Sequence, residues 1–180
     1  MQEPKIAVSS WVRRGRLGPK PVSPLGVAMA AAKPKKFAYD YPRPALTVDA
    51  VLVTREPRPR VLLIRRKRDP FGGAWALLGG FVEEGERLCD AARRELKEET
   101  GVTVDDLEQL FIAGDPGRDP RGWTVSAVFW ARVDAETVNA VAADDAAEVG
   151  WFHLDELPEM AFDHAMILGR ARVRIADRRP

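Results

Sequence analysis

The sequence predicts a mixed α/β domain. Three observations carry this. Several short runs are rich in β-branched residues, a central segment repeats its apolar residues at helical period, and a second helical segment lies near the C-terminus. With 180 residues the chain suffices for one domain with a proper core and not comfortably for two. Apolar content of 46% fits a globular protein. No apolar run approaches the ~18 residues of a membrane span. The expectations are a cytoplasmic location and no membrane partner.

The elements follow in order. Strands are expected at 45–54 ("ALTVDAVLVT") and 60–66 ("RVLLIRR"), separated by the proline-bearing turn "REPRPR". "DPFGGAW" reads as a loop, and "WALLGGFV" as two short extended pieces around Gly79 and Gly80. Leu88, Ala91, Ala92 and Leu96 fall at i, i+3, i+4 and i+8, the apolar stripe of a helix that Gly101 can cap. "LEQLFIAG" and "WTVSAVFWARV" are strands joined by the loop "DPGRDPRG", and "EVGWFHL" is another strand. "MAFDHAMILGRARVRIADRR" closes as a helix, with Ala161, Ala165, Ile167 and Leu168 on its buried side.

The domain is placed at 39–180. Residues 1–38 read as a poorly ordered, basic, proline-rich extension. Seven of the fourteen prolines lie in the first 44 residues. Two other accounts of that segment stay open. Met29 begins "MAAAKPKKFAYDYPRP", a reasonable start for the domain. A targeting peptide suits the acid-poor composition, although the prolines spoil an amphipathic helix. Cys89 stands alone, so no intrachain disulfide can form.

Net charge is +1 but unevenly spread. Residues 1–38 carry eight Lys and Arg against Glu3, which leaves −6 for residues 39–180. A nucleic-acid groove should be basic, so no nucleic-acid partner is expected.

Glu95, Glu98 and Glu99 lie at i, i+3 and i+4, on one helix face bordered by Leu96. Like charges at this spacing repel. A solvated charged face, with pairs such as Asp90–Arg94 and Arg94–Glu98, is the plain account. Three neighbouring carboxylates also suit a hard divalent cation, since Mg²⁺ takes oxygen ligands together with substrate phosphates. The wider spacing decides between these. Gly80, Glu86, Arg94, Glu95, Leu96, Glu98, Glu99, Gly101 and Val102 read G-x5-E-x7-R-E-U-x-E-E-x-G-U, with U aliphatic.

This pattern resembles the signature of the Nudix hydrolases. The resemblance implies a Nudix fold, a mixed β-sheet sandwiched between helices. "YDYPRPALTVDAV", "FGGAWALLGGFVEEGE", "DPGRDPRG" and "DDAAEVGWFHLDELPEMAFDH" resemble the members that hydrolyse ADP-ribose. The implied activity is Mg²⁺-dependent cleavage of ADP-ribose to AMP and ribose 5-phosphate, with Mn²⁺ as an alternative ion. The implied partner is a small-molecule nucleotide, and many relatives form homodimers. By the same resemblance Glu95, Glu98 and Glu99 ligate metal, the Gly79 carbonyl adds a donor, and Arg94 orients the glutamates. Glu86, Gly80 and Gly101 support the motif. The family usually has Pro where this chain has Leu78, which would leave that loop freer.

Further roles are read from the loops. Asp144, Asp145 and Glu148 sit where a general base is expected, with Asp145 favoured. Arg118 and Arg121 in the stiff loop, and Arg65 or Arg66 at a strand end, are candidate phosphate contacts. Phe71 and Trp75 offer aromatic surface. His164 opens the last helix, where a capping contact is expected. Two rival functions were weighed: a MutT-like nucleoside triphosphate pyrophosphohydrolase, and an ADP-ribose-sensing regulator with an appended winged helix. The intact box, and the short stretch after His164, set the expectation of an enzyme.

Overall fold

The computed structural model describes residues 38–142 and 146–176. The expectation for residues 1–37 lies outside the described residues. The main compact unit begins at Pro44.

Among the described residues seven strands make one sheet: β1 (Ala45–Thr54), β2 (Arg60–Arg66), β3 (Trp75–Ala76), β4 (Leu78–Phe81), β5 (Glu108–Ala113), β6 (Thr124–Val133) and β7 (Ala146–His153). Helices α1 (Leu88–Thr100) and α2 (His164–Ala176) complete the fold. The expected first two strands match to the residue, because β1 is dense in β-branched residues, β2 has a run of four apolar ones, and the proline-bearing turn separates them. The break expected at the glycines lies instead at Leu77, between β3 and β4. The last helix is shorter than expected. Ala161 is buried ahead of it, Ala165 is exposed, and His164 takes an inward place instead.

β1 is central. It runs parallel to β6 from Ala45↔Thr124 to Thr54↔Val133. All other pairings are antiparallel, so the sheet is mixed. β1 and β2 pair at Val53↔Val61 and then part. The β3–β4 segment fills the fork, pairing first with β2 and then with β1.

Each face has its own core. α1 packs Ala91, Ala92 and Leu96 against Val48, Ala50, Leu78 and Ala127. α2 packs Ile167, Leu168, Ala171 and Ile175 against Val51, Val53, Val128 and Trp130. The sheet lies between helices because strand side chains alternate faces. Leu78 is fully buried and pairs with Ala50, so it anchors β4 in the ladder where a freer loop was expected. No described helix is long and apolar enough to cross a membrane.

Candidate active site

The C-terminal half of α1 faces β4. Gly101 caps it in the left-handed conformation (φ 73°), its N–H bonding to the Lys97 carbonyl. The three glutamates separate in environment. Glu95 and Glu99 are buried, at 1% and 6% exposure, while Glu98 is exposed. Glu99 Oε2 accepts the Gly79 N–H at 3.0 Å.

Two glycines permit this closeness. A Cβ at Gly79 would collide with the Val48 carbonyl, and one at Gly80 with the Glu95 carboxylate. A side chain at Gly79 would force β4 away from β1, and one at Gly80 would displace the Glu95 carboxylate.

Arg94 is the hub. It bonds Glu86 bidentately at 2.8 and 2.9 Å, Glu95 at 2.8 Å, the Phe81 carbonyl at 3.0 Å and Glu98 at 3.3 Å. Its pKa is raised, first by the Glu86 hydrogen bonds. Glu86 is held below the usual carboxylate range by Arg94, and it also accepts the Glu83 N–H. The expected support role for Glu86 is thus a contact: it tethers the loop before α1 to the arginine that holds two glutamates. The Arg94–Glu98 pair is present, whereas Asp90 pairs with Arg93 rather than Arg94.

Among the described residues no group of three His, Cys, Asp or Glu forms a ready metal cage. The donor chemistry still fits a hard cation, since the Glu95 and Glu99 carboxylates both lie against the Gly79–Gly80 backbone. Mg²⁺ takes only one or two protein carboxylates beside waters and phosphates.

The expected phosphate contacts divide. Arg118 does not face open space. Its side chain is 5% exposed and forks onto Asp163 at 2.9 and 2.8 Å, so it ties the stiff loop to α2. Arg121 forks onto Asp119, whose pKa stays low despite burial because of Arg121. Its guanidinium stacks on Phe162 at 4.9 Å and Phe81 at 5.3 Å. Arg66 stacks on Phe162 at 4.9 Å as well. Arg65 bonds the Gly73 carbonyl and pairs with exposed Glu148 at 3.5 Å. Phe71 is exposed and meets Phe162 edge-on, while Trp75 packs on Phe152. Arg66, Arg121, Phe81 and Phe162 thus form one row beside β4. Asp144 and Asp145 lie outside the described residues.

Sequence reasoning missed Asp49, Ser126 and Asp163. Asp49 and Ser126 are buried, and Ser126 Oγ donates to Asp49 Oδ2 at 2.5 Å. The signal for Asp49 was present: a carboxylate inside the apolar run "TVDAVLV" must find partners. Ser126 and Asp163 carried no such mark.

Residues 43–170 match the NUDIX domain model. The chain is 44% identical over 134 residues to an ADP-ribose pyrophosphatase of Methanocaldococcus jannaschii, covering 74% of this chain and 76% of that protein. It is 35% identical to the ADPR responsive transcriptional repressor NtrR of Acinetobacter baylyi, spanning 56% of its length. The NUDIX domain of Shewanella oneidensis NrtR, solved with ADP ribose, superimposes with TM-score 0.67 at 35% identity, covering 76% of this chain and 94% of that one. NrtR is also solved with a 27mer DNA, at 36% identity, TM-score 0.63 and coverage of 73% of this chain and 62% of that one.

These last relatives overturn the expectation that nucleic acid is excluded as a partner. Acidic charge on one domain speaks only for that domain's surface, and here it does not separate this chain from a repressor and a DNA-bound protein. The motif, the fold and the match over residues 43–170 together make this chain a member of the NUDIX domain family, with a hydrolase-type catalytic domain of the class that acts on acid anhydrides.

Proposed function

We propose that this domain hydrolyses ADP-ribose to AMP and ribose 5-phosphate and depends on Mg²⁺. One observation carries the reading: two buried glutamates of α1 lie against a glycine pair, Glu99 accepting the Gly79 N–H and Glu95 filling the space where a Gly80 side chain would stand. The resemblance to a protein named ADP-ribose pyrophosphatase supports the substrate.

Glu95, Glu98, Glu99 and the Gly79 carbonyl would hold the ion. Mg²⁺ would lower the pKa of the attacking water and neutralise diphosphate charge. Arg94 bonds Glu95 and Glu98 and fixes their direction. Arg121 and Arg66, on either flank of Phe162, offer guanidinium surface to the diphosphate or a sugar phosphate. Phe71 offers a ring to the base. Asp145 is proposed as the base that takes the proton of the attacking water. Arg118 is assigned to holding the loop rather than to touching substrate.

The test is steady-state kinetics on ADP-ribose, ATP and GTP at one Mg²⁺ concentration. ADP-ribose should lead by at least about tenfold in kcat/KM, which is ~1.4 kcal/mol. Triphosphates leading would overturn the substrate. Unchanged turnover in Asp145→Asn would remove the base.

A further inference from the structure

The chain changes partner strand at Leu77. Trp75 and Ala76 pair with β2, whereas Leu78 to Phe81 pair with β1. A residue at such a switch is in neither ladder, and a buried N–H there must find another acceptor. Leu77 is buried. Its N–H donates to His164 Nδ1 at 2.9 Å.

That bond fixes the imidazole. Nδ1 presents its lone pair, so the proton sits on Nε2. Nε2 faces Asp49 Oδ1 at 3.6 Å. Asp49 accepts from Ser126 and lies 3.7 Å from Arg118, and Arg118 forks onto Asp163, the neighbour of His164. Four segments thus meet around one ring, and the ring holds one amide. Two residues on, Gly79 gives its own N–H to Glu99 on the opposite helix.

We propose that His164 is a positioning residue for hydrolysis: through the Leu77 amide it sets where β4 lies, and so where Gly79 meets Glu99. The inference rests on the hydrolytic reading of that site. His164 touches neither substrate nor metal in this account, and acts across the sheet from α2 to α1.

The test compares His164→Asn, whose side-chain oxygen can stand near Nδ1, with His164→Leu, which keeps bulk and lacks an acceptor. Amide exchange at Leu77 and Gly79, Mn²⁺ binding by calorimetry, and kcat and KM for ADP-ribose are measured in the full chain. His164→Leu should stay folded, exchange both amides at least about tenfold faster, and bind Mn²⁺ more weakly. Its kcat should fall about tenfold or more while KM moves less. His164→Asn should recover most of each.

Wild-type exchange, Mn²⁺ affinity and kcat in His164→Leu would overturn the proposal. Equal losses in both variants would too, because bulk would then be the cause. If His164→Leu does not fold, His164→Gln replaces it, with its polar end at the Nε2 position. His164→Asn must then outperform His164→Gln, and parity would overturn the idea. Should wild type cleave no diphosphate, the hydrolytic reading fails, while exchange and Mn²⁺ binding still decide the positioning role.

Discussion

Two clusters of charge press on β4 from opposite faces of the sheet. On the α1 side, Arg94 gathers Glu86, Glu95 and Glu98, all within 13 helical residues and the loop before them. On the α2 side, Asp49, Ser126, Arg118 and the neighbours Asp163 and His164 come from four separate segments. The first leaves Glu98 exposed; in the second Asp49, Ser126 and His164 are buried and the Arg118 and Asp163 side chains are 5% and 10% exposed. A charge cluster with one member in water can exchange partners for an ion. A closed one, with its acceptors already engaged, holds backbone in place. The two clusters differ in what they can release, and this matches the roles given to them.

Neutralising the α1 side should have the largest effect on activity. Glu98→Gln and Glu99→Gln should each cut turnover at saturating Mg²⁺ by about a thousandfold, ~4 kcal/mol of barrier. Circular dichroism should show the fold kept, with thermal stability unchanged or slightly raised as like-charge repulsion is relieved. Near-wild-type rates in both would remove the contrast altogether.

Breaking the α2 side should instead register in stability. Arg118→Met leaves Asp163 buried beside Asp49 without its cation, and should cost about 3–5 kcal/mol in urea unfolding. A loss of turnover without a loss of stability would show that Arg118 meets substrate after all.

A smaller effect is expected from pH. Burial holds His164 below the ordinary histidine pKa, against the pull of Asp49 and Asp163. The unfolded chain takes up this proton near the ordinary value of about 6.5, and the folded chain resists it. The unfolded state therefore binds more protons in that window, and stability falls as pH drops through and below it. Melting temperature against pH should slope less steeply in His164→Asn than in wild type. Parallel curves would mean that His164 titrates alike in both states.

The smallest effect belongs to the surface. Arg58 bonds Asp155 and Glu156, all exposed. Asp155→Ala should move the melting temperature by no more than about 1 °C.

The same contrast explains what was legible in the sequence. The α1 cluster is local, so spacing put Glu95, Glu98 and Glu99 on one face, and the resemblance to the Nudix signature named Arg94 and Glu86. β1 and β2 were legible because β-branched density and prolines mark both ends. Spacing could not say that Glu95 and Glu99 would be buried and Glu98 not; that depends on where β4 docks. The α2 cluster joins residues 49, 118, 126, 163 and 164, and no local period links them. Arg118 looked like a phosphate contact because its loop is stiff and cationic. Its real partner, Asp163, lies 45 residues along the chain. The break at Leu77 was hidden for the same reason, since a strand switch depends on two neighbours that lie elsewhere.

The parallel ladder between β1 and β6 also bears on synthesis. β1 leaves the ribosome first among the strands, yet its full-length partner spans Thr124–Val133. Closing so long a loop is slow compared with forming a local hairpin. Until β6 emerges, the most apolar strand of the domain has one long edge unpaired, and the early hairpin with β2 rests on the single pairing Val53↔Val61. Nascent chains stopped before residue 124 should therefore be cut readily by protease, and chains extended well past residue 133 should resist. The glutamates of α1 are made long before that point. They cannot meet Gly79 in a settled sheet until β6 has been made, so the site is assembled late in the synthesis of the domain.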